Sequence, residues 1–391
     1  MRFLILLVPL ALMLIGLPLA GIMLAGKPLD LYLEFPPRTA YVVHAGFSWW
    51  AFVATTLFIV VTVFPILNRV VQFRGSSGKN PVNAAYFPWW GWLAVAWLAV
   101  VWLLAWSRFP WFAPIQAFTF SMLWLGYILI VNALTWWRTG RCMLTHRSGY
   151  FLALAPLSAI FWWFFEYLNR FVQNWFYIGV DTIGSWDYFW QATLPFATVL
   201  PAVLGTRELL ATFPRLSGGL KNAWTVTWIH SKLIAWTLLI VSAVGLAAVG
   251  VWPNALFSLL WLAPLALITA LQIIMDEESV LGGPVMGDWR EIWQVALAGF
   301  VCGFLWEMWN FGSLAHWEYS VPYVQRFEIF HMPLLGYSGY LPFGLECLAV
   351  ARLLDVLWQE KHPVKKSLFS PRETLKSKRS EATFGQKRTP N

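Results

Sequence analysis

Apolar runs of eighteen or more residues recur along this 391-residue chain, and each can cross a bilayer core of roughly 30 Å as a helix. Lipid offers the backbone no hydrogen-bond partners, so a spanning segment must satisfy its own amides and carbonyls, as a helix does. The composition agrees: 59% of residues are hydrophobic and 12% charged, against about 25% charged in a soluble domain. The expected fold class is an all-α polytopic membrane protein with about ten transmembrane helices. They are placed at 3–25, 42–66, 88–107, 112–137, 150–176, 188–211, 228–250, 254–275, 291–314 and 334–357. The first follows "MR" but continues through "LPLAGIMLAG", beyond the apolar length of a signal peptide, and is expected to stay as an uncleaved anchor.

Arg69, Arg74 and Lys79 follow the second span, and Arg138, Arg141 and Arg147 the fourth; Arg207, Arg215 and Lys221 lie around the end of the sixth. An even span count puts these segments and the basic tail on one side, which the positive-inside rule makes the cytoplasm. The acidic "MDEESVLGGPVMGDWRE" falls on that side too, but acids weigh little in the rule. A multi-pass protein of a bacterial-type cytoplasmic (inner) membrane, with both termini cytoplasmic, is expected. The net charge of +8 follows from these loops and the tail and suits anionic lipid headgroups. No folded basic module accompanies it, so no nucleic-acid partner is expected. Residues 361–391 lack apolar periodicity and read as a disordered cytoplasmic tail. Cys142, Cys302 and Cys347 form no CxxC pair and read as small buried residues.

The chain also repeats itself. "SMLWLGYILIVNAL" (121–134) matches "SLLWLAPLALITAL" (258–271). "FFEYLNRFVQNWFY" (164–177) matches "LWEMWNFGSLAHWEY" (305–319) as E-x-x-N followed by W-x-Y, and "LPFATVLPAV" (194–203) matches "LPFGLECLAV" (341–350). The matches keep one order, with offsets of 137, 141 or 142, and 147, which a duplication explains. The expected organisation is a two-helix region (1–87), a four-helix repeat (88–211), a linker (212–227), a second four-helix repeat (228–360) and the tail. Four spans per unit make the repeats parallel. Both E-x-x-N motifs then lie near the outer ends of their helices.

Glu307 and Asn310, three residues apart, share a helix face. An intramembrane carboxylate is costly and points to function, while its bland alternative is a hydrogen-bonded peg between helices. The two copies differ here. Glu166 and Asn169 are followed by Arg170, placed for an i, i+4 ion pair with Glu166, whereas Phe311 takes that position in the second copy. Glu166, Asn169, Arg170, Trp175 and Tyr177 therefore read as a charge-neutralised structural counterpart. The second copy also gains acids: Glu346 aligns with Val199 and Glu318 with Phe176. Pro342 suits the first turn of the last helix, which puts Glu346 one turn inside it, at a depth comparable with Glu307. Two carboxylates on adjacent helices suit acid–base chemistry. Glu307 and Glu346 are the candidate catalytic acids, with Asn310 orienting.

Trp306, Trp317, Glu318, Tyr319, Tyr337 and Tyr340 are expected to line a substrate site, where aromatic faces can stabilise a cation. The other tryptophans, of 28 in all, read as lipid-facing anchors and core packing. His316 and His331, with Glu318 and Glu328, match no recognised ligand spacing, so no metal is assigned to them. His44 reads as an interfacial hydrogen-bonding residue. Histidine boxes, paired Asp-rich motifs, a Walker A loop and a Rossmann glycine fingerprint do not occur, and no cofactor is expected.

The pattern W-E-x-x-N, then W-x-Y, then "LLGYSGYLPFGLE" running into the last span resembles the membrane lycopene cyclases of the heterodimeric or fused type, and more loosely the carotenoid hydratases. The resemblance covers about 45 residues in each copy and maps Trp317, Tyr319, Pro342 and Glu346 onto that family's aromatic segment and its proline followed by acids. It implies non-redox protonation and cyclisation of a polyene. The chain departs from the family in having one acid behind the proline in place of an adjacent pair, and four spans per unit in place of three. The leading expectation is a cofactor-free enzyme acting on an apolar isoprenoid, carotenoid or other lipid. A transporter or channel with carboxylates at the repeat interface, and a structural or assembly protein, stand as alternatives.

Overall fold

A computed structural model describes residues 2–37, 39–74, 86–180 and 183–361. Lys79 and the tail beyond residue 361 lie outside the described residues. Each of the ten expected segments contains a helix: α1 (Arg2–Leu24), α2 (Trp49–Gln72), α3 (Trp89–Ser107), α4 (Thr119–Thr139), α5 (Ser148–Val172), the pair α6 (Ser185–Phe196) and α7 (Val199–Ala211), α8 (Lys232–Ala248), α9 (Leu259–Ile274), α10 (Arg290–Phe311) and α11 (Tyr340–Lys361). Seven of these helical stretches are long and apolar enough to cross a membrane, while α8 and α9 are apolar but shorter. The all-α class holds, and a multi-pass membrane protein accounts for it. Among the described residues the strands are four short ones: β1 (Trp175–Ile178) pairs with β2 (His316–Tyr319), and β3 (Glu328–Ile329) with β4 (Met332–Pro333).

Several boundaries differ from expectation. The second helix starts at Trp49 instead of 42, where Ser48 accepts a hydrogen bond from the Ala51 amide as its N-cap. Residues 42–48 instead run extended beneath the chain after β2: Ser320 donates to Val42 O, the Tyr323 amide to Ala45 O, and the Ser48 amide to Tyr323 O. The fifth span ends at Val172, since Gln173 adopts φ 52°, a left-handed turn that stops the helix. Its W-x-Y segment is therefore a strand.

Residues Met1–Leu353 form one compact unit. Its interior is built from α4, α5, α7 and α10, which pack on one another through α7. No residue of α2 is buried, and Leu57, Phe58, Val61 and Phe64 stand exposed along it. In a bilayer that face meets lipid. At one end of the unit Arg69 reaches the carbonyls of Gly219 and Asn222, and Arg138 bonds Thr212, so the basic ends of α2 and α4 gather on the 212–222 segment. The strands lie at the other end, where α5 and α10 finish and α11 begins.

Helices α10 and α11 approach closely because α10 is bare where they meet. A methyl group on Gly299 would lie 2.4 Å from the Tyr340 carbonyl oxygen, and one on Gly303 would lie 2.2 Å from the Tyr340 ring. On the facing helix, a methyl on Gly344 would lie 2.2 Å from Val295 O. This Gly-x-x-x-Gly stripe is the usual device by which membrane helices bring their backbones together.

Candidate functional site

Strand alternation sorts the second motif. Residues two apart share a face, so Trp317 and Tyr319 point one way, and His316 and Glu318 the other. On the first face Tyr319 Oη donates to Glu307 Oε1 at 2.7 Å and Tyr340 Oη donates to the same oxygen. Trp317 Nε1 donates to Tyr319 Oη at 2.8 Å. Glu307 is wholly buried, and its Oε2 has no hydrogen-bond partner. Asn310 grips the backbone of β2: its Nδ2 donates to Trp317 O at 2.7 Å, and its Oδ1 accepts from the Trp317 amide at 2.9 Å. Both arms of the amide are thus committed to holding the strand, and Asn310 does not orient a reacting group.

The first motif is built the same way. Glu166 Oε1 accepts from Tyr177 Oη at 2.5 Å and from the indoles of Trp162 and Trp175, each at 3.2 Å, while Oε2 is buried without a partner. Asn169 donates to Trp175 O and accepts from the Asn174 amide, both at 2.8 Å. The expected ion pair between Glu166 and Arg170 does not form. Arg170 pairs with Glu34 at 2.9 Å and also donates to its carbonyl, because Asp30–Leu33 and the residues after it pass over α5. The charge contrast that set Glu307 above Glu166 is gone, and both carboxylates anchor a W-x-Y tyrosine. We expect Asn310→Ala and Asn169→Ala to destabilise the protein alike, each by about 2 kcal/mol or more, since each strands a buried amide and carbonyl. Thermal unfolding in detergent measures this, and a neutral Asn310→Ala would remove the clamp from the account.

The strands join the two motifs. β1 and β2 are antiparallel, with Trp175 opposite Tyr319, Phe176 opposite Glu318 and Tyr177 opposite Trp317.

Glu346 stands apart from this network. It is wholly buried, and neither carboxyl oxygen has a partner. Its depth differs from expectation, because α11 runs back down α10. Gly344 lies against Val295 and Gly299, which are twelve and eight residues before Glu307. At 1.5 Å per residue this places Gly344 about 12–18 Å along the helix from Glu307, and the Glu346 backbone, two residues further down α11, about 15–21 Å from it. No hydrogen bond among the described residues joins the two carboxyls. Phe343, three residues earlier on the same face of α11, centres an aromatic cluster. Its ring centroid lies 5.7 Å from Trp162, 5.8 Å from Trp261, and 5.9 Å from both Trp306 and Phe165.

The remaining expected residues divide. Trp306 belongs to the aromatic cluster and also packs 5.0 Å from Trp124. Tyr337 turns its hydroxyl to Ile329 O at 3.0 Å, fastening the β3–β4 hairpin. Glu318 faces away from Tyr319, 3.5 Å from His316 Nε2. The His331 ring stacks on His316 at 5.2 Å, and burial with the neighbouring His316 holds His331 below the usual imidazole pKa. His44 bonds Asn254 Oδ1 and Gln173 O. All three cysteines are buried and free. A cavity of about 190 Å³ lined by Arg108, Phe109, Pro110, Ala113, Gln116 and Leu314 contains none of the candidate residues. Sequence reasoning missed Phe343, although its i, i+3 spacing to Glu346 in "LPFGLE" was legible, and it missed Glu34.

Comparison with protein-family models, with curated proteins and with solved structures returned no match.

Proposed function

We propose that this chain is an integral membrane enzyme performing cofactor-free acid–base chemistry, namely cyclisation, hydration or isomerisation, on an apolar isoprenoid or other lipid. Glu346 is the proton donor. One observation carries the reading: a wholly buried carboxyl that bonds nothing lies one turn from an aromatic cluster. A peg between helices works through hydrogen bonds, and Glu346 makes none among the described residues. A carboxylic acid can deliver its proton to an alkene, and indole and phenyl faces stabilise the carbocation that results. The resemblance to the membrane lycopene cyclases supports the same acid, since Glu346 follows Pro342 in the matched stretch. Glu307 and Glu166 serve the architecture, each holding a tyrosine and through it a strand.

The equivalent clamps and the register between β1 and β2 support a duplicated four-helix unit, 88–211 and 228–357, with parallel orientation. The basic end formed by Arg69, Arg138 and the 212–222 segment is then the cytoplasmic face, and the strands lie outside.

The test is mass spectrometry of lipid extracts from hosts expressing wild type, Glu346→Gln and Glu307→Gln. Wild type should change an isoprenoid or lipid species, and Glu346→Gln should abolish the change. Glu307→Gln should lower the amount of folded protein, with activity per molecule kept. An unchanged lipid profile in wild type sinks the enzyme reading. A bond-free acid also suits proton-coupled transport, and uptake into proteoliposomes that vanishes in Glu346→Gln would replace catalysis with carriage.

A further inference from the structure

The face of β2 turned away from Tyr319 carries a second, unrelated constellation. His316 and Glu318 occupy alternate positions of the strand and so project together. The β3–β4 hairpin brings His331 onto them from its tip, where Phe330 takes φ 58° to make the turn. One ligand atom from each of His316, Glu318 and His331 lies within 4.8 Å of the others. His316 Nε2 is 3.5 Å from Glu318 Oε1, and the two imidazoles stack with 13° between their planes. His316 Nδ1 is sealed from solvent without a hydrogen-bond partner.

We propose that His316, Glu318 and His331 form a binding site for Zn²⁺ or a similar first-row divalent cation, stapling the β3–β4 hairpin to β2. Two imidazoles and a carboxylate are an established zinc donor set, and three protein donors leave a tetrahedral ion one position for water. Zn–N bonds of about 2.0–2.1 Å put tetrahedral donors roughly 3.3 Å apart, so rotamer adjustments of an ångström or so close the site from the observed spacing. The borderline-soft imidazoles favour zinc, nickel or copper over magnesium and calcium, which require oxygen donors. The hairpin that the ion would fasten also receives the Tyr337 hydroxyl, so the staple would add to a tie already present between the hairpin and the start of α11. This site is independent of any chemistry at Glu346.

The experiment uses the full chain in detergent, with any affinity tag removed and chelator dialysed away, titrated with Zn²⁺ by calorimetry. Wild type should bind one Zn²⁺ per chain and gain melting temperature. His316→Ala, His331→Ala and Glu318→Gln should each weaken binding at least tenfold and lose the thermal gain, whereas His146→Ala should match wild type. X-ray absorption at the zinc edge should report nitrogen and oxygen neighbours at about 2.0–2.2 Å. His331→Gln, which preserves bulk, serves if His331→Ala fails to fold. Binding below one ion per chain in wild type, or unchanged binding in the folded site variants, overturns the proposal.

Discussion

Glu346→Met should make the protein more heat-resistant and, on the proposed function, inactive. Both carboxyl oxygens of Glu346 are buried and unbonded, and leaving a buried polar group unsatisfied costs about 1–3 kcal/mol. Methionine fills a similar volume without that cost, so a gain of about 1–3 kcal/mol in unfolding free energy is expected. The fold accepts an apolar side chain at the matching position of the first motif, where Val199 is buried. Thermal unfolding in micelles reads the stability, and the lipid extract of the expressing host reads the activity. A lower melting point for Glu346→Met would mean that the carboxyl holds something in place, and the functional acid would have to be sought elsewhere. A gain in stability with loss of product would identify a group retained for chemistry at the expense of packing.

Gly299→Val should be among the most damaging single substitutions. Even its first carbon would collide with the Tyr340 carbonyl and the Gly344 backbone, neither of which can rotate away. Helices α10 and α11 would have to part, and overpacking with no flexible neighbour lies at the upper end of its range, about 3 kcal/mol or more. Separation would also draw Tyr340 from Glu307, removing one of the tyrosine donors of that carboxylate and leaving Tyr319. Gly16→Ala is the control: nothing lies within 4 Å of a methyl there, and the change should be neutral or stabilising by up to about 1 kcal/mol. Melting curves of the two variants decide it. If Gly299→Val melts with Gly16→Ala, the close crossing of the two helices is wrong.

The helical, membrane-spanning class was legible because hydropathy over twenty residues is a local property. The E-x-x-N and W-x-Y motifs were legible because each occurs twice. Their work was not, because it depends on what lies opposite. "WFYI" has too few residues for strand periodicity to stand out beside a helix end, and it is its pairing with β2 that makes it a strand. Arg170 sits at the right spacing for Glu166, yet its partner is Glu34, 136 residues away, which no local rule could choose. The depth of Glu346 was misjudged because it hangs on where α11 crosses α10. The glycines that fix that crossing, in "GFVCG" and "PFGLE", were present in the sequence and carried the signal that was passed over.

The register of β1 on β2 has a consequence for how such a chain could arise. Each Trp faces the other strand's Tyr, and the middle residues face each other. A strand bearing W-x-Y would make this same pairing with an identical strand, as in the isologous contact of a two-fold symmetric dimer. On the proposed duplication, a single unit closes on a second copy with no linker between them. On the same proposal, joining the two units in one polypeptide releases the central pair from self-complementarity. It holds Phe176 on one side and Glu318 on the other, and only an asymmetric centre could supply one carboxylate, beside His316, to one half alone.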